Sequence, residues 1–317
     1  MAFAAALAVA AAALLHVSCG RQGAGGAASA PEGSVIVLGS FERDGGRPAT
    51  GGGAPEGGAP KSGAPKSGAP DGAALGLGEA GFSARLCAAA RSAELPDALR
   101  AGLLESAARS PAFERELAAV LAGPRWLRVL VDKERALPSG YSPPDLVALS
   151  AGGPYRASRP GLMLRRAAAQ SLAEMALAAR ADGVTLVASS AYRSYAHQAQ
   201  VHSRLVRQMG RAAAERVSAR PGHSQHQLGL ALDFGCITDA FAQTAAGRWM
   251  DANAGRFGWS LSYPYGYESV TGYAWESWHF RYLGRELADF KESHFGGIQQ
   301  FALRFLHEWE LGAAGPP

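Results

Sequence analysis

The apolar pattern becomes regular at about residue 81, where Ala and Leu recur with the spacing of one helical face. Three such segments follow one another: 83–94, 96–108 and 111–122. Pro96 and Pro111 stand near the starts of the second and third segments, where a helix does not need the missing proline N–H. We therefore predict a helical prelude over residues 81–125, in which no motif has an evident chemical meaning.

Short apolar runs then alternate with longer amphipathic segments. The stretch "WLRVLVDKERALPSGYSPPDLVAL" (126–149) predicts a strand that leads into a proline-rich turn. Residues 161–181 predict a helix, and residues 184–194 predict a buried strand that runs into a loop. A polar helix is expected over residues 196–215.

The last part of the chain continues this mixture. Residues 247–264 predict a helix and a short strand, and residues 273–284 predict a final strand with aromatic residues on both sides. Residues 287–317 form a C-terminal extension that contains an amphipathic helix. Few short strands among irregularly placed helices indicate an α+β domain over residues 126–286, with a small, mainly antiparallel sheet flanked by helices.

Residues 20–80 have a different composition, dominated by Gly, Ala, Pro and Ser. The run "GAPKSGAPKSGAPDG" (58–72) repeats every five residues and contains no large apolar side chain. Burial therefore cannot offset the entropy lost when such a backbone becomes ordered. We predict an N-terminal disordered tether, which acts as a flexible linker.

The first 19 residues, "MAFAAALAVAAAALLHVSC", are uncharged and rich in Ala, which is typical of an export signal. The ending "HVSC" resembles a bacterial lipoprotein cleavage box, which would put a lipid on Cys19 and anchor the protein to the membrane. Ordinary secretion and an uncleaved anchor are the alternatives. All three put the folded part in the cell envelope outside the cytoplasm, as a periplasmic or surface protein.

Charge and cysteine content narrow the choice of partners. The net charge is +4, but the basic residues are scattered rather than gathered into a stripe, so we expect no nucleic-acid partner. If Cys19 carries a lipid, Cys87 and Cys236 remain. They could pair in an oxidising compartment or stay as two separate thiols.

The stretch "SARPGHSQHQLGLALDFG" (218–235) concentrates groups that can bind a metal. His226 and Asp233 are seven residues apart, with Gly229 between them to allow a turn. A strand over 230–234 would send the leucines to one face and Asp233 to the other. The alternative is a capped turn with a histidine that faces solvent.

A catalytic zinc site needs three protein ligands and an open fourth position. His279, in "ESWH" (276–279), is a candidate third ligand, and Glu276 is a candidate for the carboxylate that moves protons to and from water. Arg193 follows a predicted buried strand and could stabilise negative charge that develops during a reaction. A surface glutamate and a structural arginine paired with a carboxylate are the alternatives.

Three blocks in this order, "AYRSY", "PGHSQHQLGLALDF" and "ESWHFRYLG", resemble the zinc D-alanyl-D-alanine carboxypeptidases of the VanY type. That family shares its fold with the VanX dipeptidases and the hedgehog signalling domain. The resemblance spans about residues 126–285, half of the chain, and includes the lead-in "VDKERALPSGYSPPDLVAL". It implies the same hedgehog-like, DD-peptidase-like fold here.

The resemblance also implies a role for each matching residue. It makes His226, Asp233 and His279 the ligands of one zinc ion, Glu276 the catalytic base and acid, and Arg193 the group that stabilises the transition state. Ser224 and Gln198 would hold the substrate. Two positions depart from the family pattern: Gln225 stands where glutamate is common, and Leu228 where a small hydroxyl residue is frequent. These departures would affect substrate preference and the hydrogen bonds that orient the ligands.

The resemblance implies an activity, which is removal of the terminal D-alanine from peptidoglycan stem peptides. An endopeptidase or dipeptidase with the same fold is one alternative. A non-catalytic, zinc-stabilised module that binds the cell wall is another, although such a module needs neither Glu276 nor Arg193.

Overall fold

The computed structural model describes residues 75–313. The predicted export signal (1–19) and most of the predicted tether (20–80) lie outside the described residues. The helices are α1 Glu79–Ser92, α2 Asp97–Arg109, α3 Ala112–Ala122, α4 Arg166–Ala181, α5 Tyr195–Met209, α6 Arg211–Val217, α7 Ala245–Asn253, α8 Glu268–Thr271, α9 Arg285–His294 and α10 Gln299–Ala313. No helix within these residues is long and apolar enough to cross a bilayer.

A five-stranded sheet lies at the centre of the domain, with strand order β2-β4-β5-β7-β6. Its strands are β2 Arg156–Ala157, β4 Val187–Ser190, β5 Ala231–Phe234, β6 Trp259–Leu261 and β7 His279–Tyr282. Only β2 and β4 are parallel, and the other three pairs are antiparallel. A separate antiparallel pair joins β1 Leu146–Ala148 to β3 Met163–Arg165. This architecture confirms the predicted α+β fold with a small, mainly antiparallel sheet.

One face of the sheet packs on α4 and forms the first hydrophobic core. Leu232 and Phe234 of β5 and Phe280 of β7 belong to this core together with Leu172 and Met175 of α4. Each of these side chains is almost fully buried. The alternation of β5 therefore leaves Asp233 on the opposite face, as the sequence predicts.

A second hydrophobic core joins the two ends of the described chain. The three prelude helices α1, α2 and α3 pack against α9 and α10, around Phe113, Phe305 and Trp309. Arg85 of α1 donates to the backbone oxygen of Trp309 at 3.1 Å, and its guanidinium lies 4.5 Å from the centre of the Trp309 ring. The prelude and the C-terminal extension thus form one helical layer.

The predicted strand at the start of 126–149 is wrong. The chain forms a single 3₁₀ turn, Arg125–Leu127, and then runs irregularly to β1. The carbonyl oxygens of Leu127 and Val129 accept hydrogen bonds of 2.9 Å from Arg281 instead of joining a sheet. A buried side chain from a distant strand has therefore replaced the expected strand partner.

Two predicted helices have different boundaries in the structure. The segment 161–181 begins with strand β3, and α4 starts only at Arg166. The segment 196–215 is interrupted at Gly210, whose φ of +80° ends α5 before α6 begins. Glycine adopts this conformation without the steric cost that other residues meet.

Within residues 75–313, Cys87 is half-buried, Cys236 is buried, and neither forms a disulfide. Of the two alternatives, the separate thiols are confirmed and the disulfide is wrong.

Candidate metal centre

Two neighbouring strands hold two of the three candidate ligands. Strands β5 and β7 are antiparallel, and Asp233 pairs directly with His279. Directly paired residues point to the same face of a sheet. The next pair, Leu232 and Phe280, points to the hydrophobic core. Asp233 and His279 therefore lie side by side on the face away from α4.

The third candidate, His226, lies on a short 3₁₀ turn, Gln225–Leu228, just before β5. Ser224 precedes the turn, and its hydroxyl oxygen accepts a hydrogen bond of 3.3 Å from the His226 N–H. Gly229 ends the turn with a left-handed φ of +68°. This reversal directs the chain into β5 and leaves the His226 ring beside Asp233.

The three side chains converge on one point. His226 Nε2 lies 3.3 Å from Asp233 Oδ2, and His279 Nδ1 lies 3.1 Å from Asp233 Oδ1. One ligand atom from each residue lies within 4.8 Å of the other two, and all three residues are buried. Among the described residues, Asp233 Oδ1 has no aligned hydrogen-bond donor despite its burial. A buried carboxylate oxygen without a donor fits a metal ion, because burying an unpaired charge is costly.

The donor set matches a particular kind of ion. Two imidazole nitrogens and one carboxylate oxygen are ligands of catalytic zinc. His226 Nδ1 donates to the carbonyl oxygen of Ala191 at 2.8 Å, since a carbonyl can only accept. This bond leaves Nε2 unprotonated and turned towards Asp233. The residues present therefore fit a zinc ion.

Burial and the nearby charges determine protonation in the cluster. Burial lowers the pKa of His226 to about 4, so its imidazole is neutral at neutral pH. Burial alone would raise the pKa of Asp233, but the two imidazoles beside it hold that pKa well below its ordinary value. Burial would also lower the pKa of His279, but the carboxylates of Asp233 and Glu276 raise it to about 9. The cluster thus attracts positive charge.

Glu276 is brought to the same point by a turn before β7. The His279 N–H donates to the Glu276 carbonyl at 3.2 Å, and the Glu276 N–H donates to the Tyr263 carbonyl at 3.1 Å. The Glu276 carboxylate lies 3.3 Å from His279 Nδ1, with 14% of its side chain exposed. Burial raises the pKa of Glu276 above its ordinary value. A carboxylate with a raised pKa holds a proton more readily than an ordinary glutamate, which suits a group that accepts and returns one.

Arg193 reaches the centre from the loop after β4. Its two terminal nitrogens donate to Gln198 Oε1 and to Ser190 Oγ, each at 2.9 Å. Its backbone N–H donates to the carbonyl of His226 at 3.2 Å. Burial lowers the pKa of Arg193, and the nearby Asp233 carboxylate opposes this effect. A guanidinium still keeps its proton at neutral pH.

Ser224 and Gln198, the two predicted substrate-holding residues, are both buried. Ser224 caps the turn that carries His226. Gln198 is bonded at both ends, since its amide nitrogen also donates to the carbonyl of Ala219 at 2.6 Å. The structure thus brings all seven predicted site residues into one region.

Sequence reasoning missed Ser190, which orients Arg193. The available signal was its position three residues before Arg193, at the end of a predicted buried strand. A serine that ends an apolar strand is easily taken for the start of a loop.

Comparison with known proteins finds similar sequences. The sequence profile of the VanY family, described as D-alanyl-D-alanine carboxypeptidase, matches residues 161–285. The putative carboxypeptidase YodJ of Bacillus subtilis is 36% identical over 174 residues, which cover 53% of this chain and 64% of that protein. A D-alanyl-D-alanine carboxypeptidase of Enterococcus faecalis is 32% identical over 179 residues, which cover 51% of this chain and 60% of that protein. The matched part thus spans less than two thirds of each curated relative.

A solved structure is also similar. It is a mutant of the vancomycin-resistance D,D-pentapeptidase VanY, in complex with Zn(II). The identity is 33%, the match covers 56% of this chain and 99% of that one, and the TM-score is 0.47. Residues 161–285 of the chain therefore match the VanY family of D-alanyl-D-alanine carboxypeptidases, and the curated relatives are similar over about half of the chain.

Proposed function

We propose that the chain is a zinc-dependent carboxypeptidase that removes the terminal D-alanine from peptidoglycan stem peptides. The observation that supports this most strongly is the buried convergence of His226, Asp233 and His279, with Glu276 and Arg193 beside them. A metal bound only for structure would need neither a proton-carrying carboxylate nor a fixed guanidinium. The zinc complex of the related D,D-pentapeptidase supports the choice of metal.

In this proposal, His226 Nε2, Asp233 and His279 Nδ1 hold the zinc ion. The bound ion would supply a Lewis acid that polarises the scissile carbonyl and makes a nearby water molecule more acidic. Glu276 accepts the proton that the attacking water loses and later delivers it to the leaving amine of D-alanine. Its raised pKa suits both directions of this transfer.

Arg193 stabilises the negative charge that develops on the carbonyl oxygen. Its bonds to Ser190 and Gln198 hold the guanidinium in one orientation, so little reorganisation is needed during the reaction. We assign Gln198 an action on the substrate through Arg193, because both ends of its amide are bonded within the protein. Ser224 lies next to the first ligand and remains a candidate for a contact with the substrate.

We further propose that the protein acts in the cell envelope, outside the cytoplasm, and is anchored by a lipid on Cys19. The support is the sequence of residues 1–19, together with a substrate class that occurs in the cell wall. The composition of residues 20–80 is that of a flexible linker, which would let an anchored enzyme reach its polymer.

The test uses the zinc-loaded full chain and a synthetic stem pentapeptide that ends in D-Ala-D-Ala, with products identified by mass spectrometry. We expect the loss of one alanine. Loss of the terminal dipeptide or a cut inside the stem would overturn the carboxypeptidase proposal in favour of a dipeptidase or an endopeptidase. Full zinc occupancy without turnover would favour the wall-binding module.

Glu276→Gln tests the assigned chemistry, because the amide keeps the size of the side chain but cannot carry the proton. We expect turnover to fall about 10²- to 10⁴-fold while zinc content after dialysis stays the same. Unchanged turnover in this variant would mean that another group moves the proton.

A further inference from the structure

The C-terminal helix α10 begins at a buried point close to the metal centre. Its first residue, Gln299, is only 1% exposed. The amide nitrogen of Gln299 donates to Ser262 Oγ at 3.3 Å, whereas its buried amide oxygen has no partner within residues 75–313. Gln299 therefore contacts Ser262 through its amide nitrogen.

Ser262 in turn bonds to Gln225, the residue that precedes the candidate ligand His226. Its hydroxyl donates to Gln225 Oε1 at 2.8 Å, and this bond is buried. The same oxygen lies 3.3 Å from His279 Nε2. An amide oxygen can only accept, so the ring nitrogen that faces it carries the proton. Gln299, Ser262, Gln225 and His279 thus form one continuous hydrogen-bonded chain.

The proton on Nε2 has a consequence for the opposite side of the ring. A histidine that binds a metal ion is neutral and carries one proton, so a proton on Nε2 leaves the lone pair of Nδ1 free for the ion. Nδ1 is the nitrogen that faces Asp233 and Glu276. His226 shows the same arrangement with its nitrogens exchanged, since the Ala191 carbonyl accepts from its Nδ1. In each histidine, the ring nitrogen that faces away from Asp233 is therefore bonded to a protein oxygen, which we call the outer oxygen.

The two outer oxygens differ in kind. The Ala191 carbonyl is part of the backbone and is fixed by the fold. Gln225 Oε1 belongs to a side chain, which needs a partner of its own to stay in place. Ser262 supplies that partner and is in turn held by Gln299, 37 residues further along the chain.

We propose that Gln225, held by Ser262 and Gln299, is a positioning residue that fixes the tautomer and orientation of His279, and that the C-terminal helix thereby tunes metal affinity. This inference rests on the proposed metal centre. Outer partners of ligating histidines commonly change metal affinity about 10- to 100-fold when they are replaced. A network that served only to satisfy buried polar groups would instead change stability and leave metal affinity alone.

The experiment measures zinc dissociation constants by competition with a chromophoric chelator, and the stability of each zinc-free protein by urea unfolding. We expect Gln225→Leu to weaken zinc binding about 10- to 100-fold. Gln225→Glu keeps an acceptor at the same place and should recover most of the lost affinity. Gln299→Leu should weaken zinc binding in the same direction but less, because it acts two contacts away from His279.

Gln300→Leu is the matched control. Gln300 is the next residue of α10, is 3% exposed, and donates to Asp132 at 3.0 Å rather than to Ser262. We expect this variant to lose stability comparable to that of Gln299→Leu and to bind zinc like the wild type.

Wild-type zinc affinity in Gln225→Leu would overturn the inference. So would a loss of affinity in Gln300→Leu equal to that in Gln299→Leu, since both losses would then follow stability alone. His226→Ala separates this failure from that of the metal centre itself: if it still binds zinc tightly, the proposed ligands are wrong. If Gln225→Leu does not fold, Ser262→Ala interrupts the same chain with a smaller change.

Discussion

Gly229 connects two candidate ligands, and its replacement by alanine tests how the site is built. Its N–H donates to the His226 carbonyl at 3.1 Å, and its carbonyl accepts from the Arg165 N–H at 2.8 Å. A Cβ at this position would lie 2.9 Å from Leu146 Cδ2, 3.1 Å from Arg165 Cγ and 3.2 Å from Pro143 Cγ. The left-handed φ of +68° adds a backbone cost for any residue other than glycine.

The expected loss of stability is the sum of two costs, the left-handed backbone and the close contacts of the added Cβ. A left-handed conformation costs a non-glycine residue about 1–2 kcal/mol. Crowding in a packed interior costs a further amount of about 1–3 kcal/mol when the neighbours cannot move away. Arg165 cannot move freely, because its guanidinium lies 3.9 Å from the centre of the Trp126 ring and 2.8 Å from Asp145. We therefore expect Gly229→Ala to lower the free energy of unfolding by roughly 2–5 kcal/mol.

The assay is urea unfolding of the zinc-free protein, with Gly183→Ala as the control. Gly183 has a φ of +74°, and a Cβ there would meet no atom of the described chain within 4 Å. Gly183→Ala thus has the cost of the left-handed backbone without the steric cost. Both variants share the reduced conformational entropy of the unfolded chain. Gly229→Ala should lose about 1–3 kcal/mol more than Gly183→Ala. Equal losses would refute the steric argument.

Two further predictions concern the surroundings of the site. Burial lowers the pKa of Lys133 from 10.5 to about 8, so the folded chain releases this proton before the unfolded chain does. The free energy of unfolding of the wild type, relative to that of Lys133→Met, should therefore rise as the pH is raised from 8 to 10. Urea midpoints that change in parallel for the two proteins over this range would contradict the prediction. Arg193→Lys keeps the charge but loses the planar fork that contacts Ser190 and Gln198 together, so kcat for the pentapeptide should fall about 100-fold or more with a smaller change in KM. An unchanged kcat would show that charge alone is sufficient.

The positions of the candidate site residues in the fold were more predictable from sequence than the boundaries of the elements around them. The alternation in β5 separates Leu232 and Phe234 from Asp233, and the structure confirms it because side chains in a strand alternate regardless of their neighbours. The strand expected near residue 126 failed for the opposite reason. Its backbone oxygens are taken by Arg281, which lies more than 150 residues away in the chain, and local periodicity does not report such a partner.

The same limit applies to Ser262 and Gln299, which reach the candidate ligand His279 through hydrogen bonds. His226, Asp233 and His279 could be proposed as candidate ligands because metal ligands are few in kind and their spacing is restricted. Ser262 and Gln299 could not, because serine and glutamine are common and their partners are 37 residues away in each case. Their significance depends on which atoms meet in three dimensions, and a single sequence does not contain that information.

The helical prelude, which has no chemical motif, acquires a role through the second hydrophobic core. Helix α10 reaches Ser262 through Gln299 at its first residue, and along the rest of its length Phe305 and Trp309 pack against Phe82 and Phe113 of the prelude. Removing α1 to α3 would uncover those aromatic side chains and free the helix that carries Gln299. The prelude therefore packs against the helix on which the hydrogen-bonded chain to His279 begins, and it would support the proposed metal centre by fixing that helix.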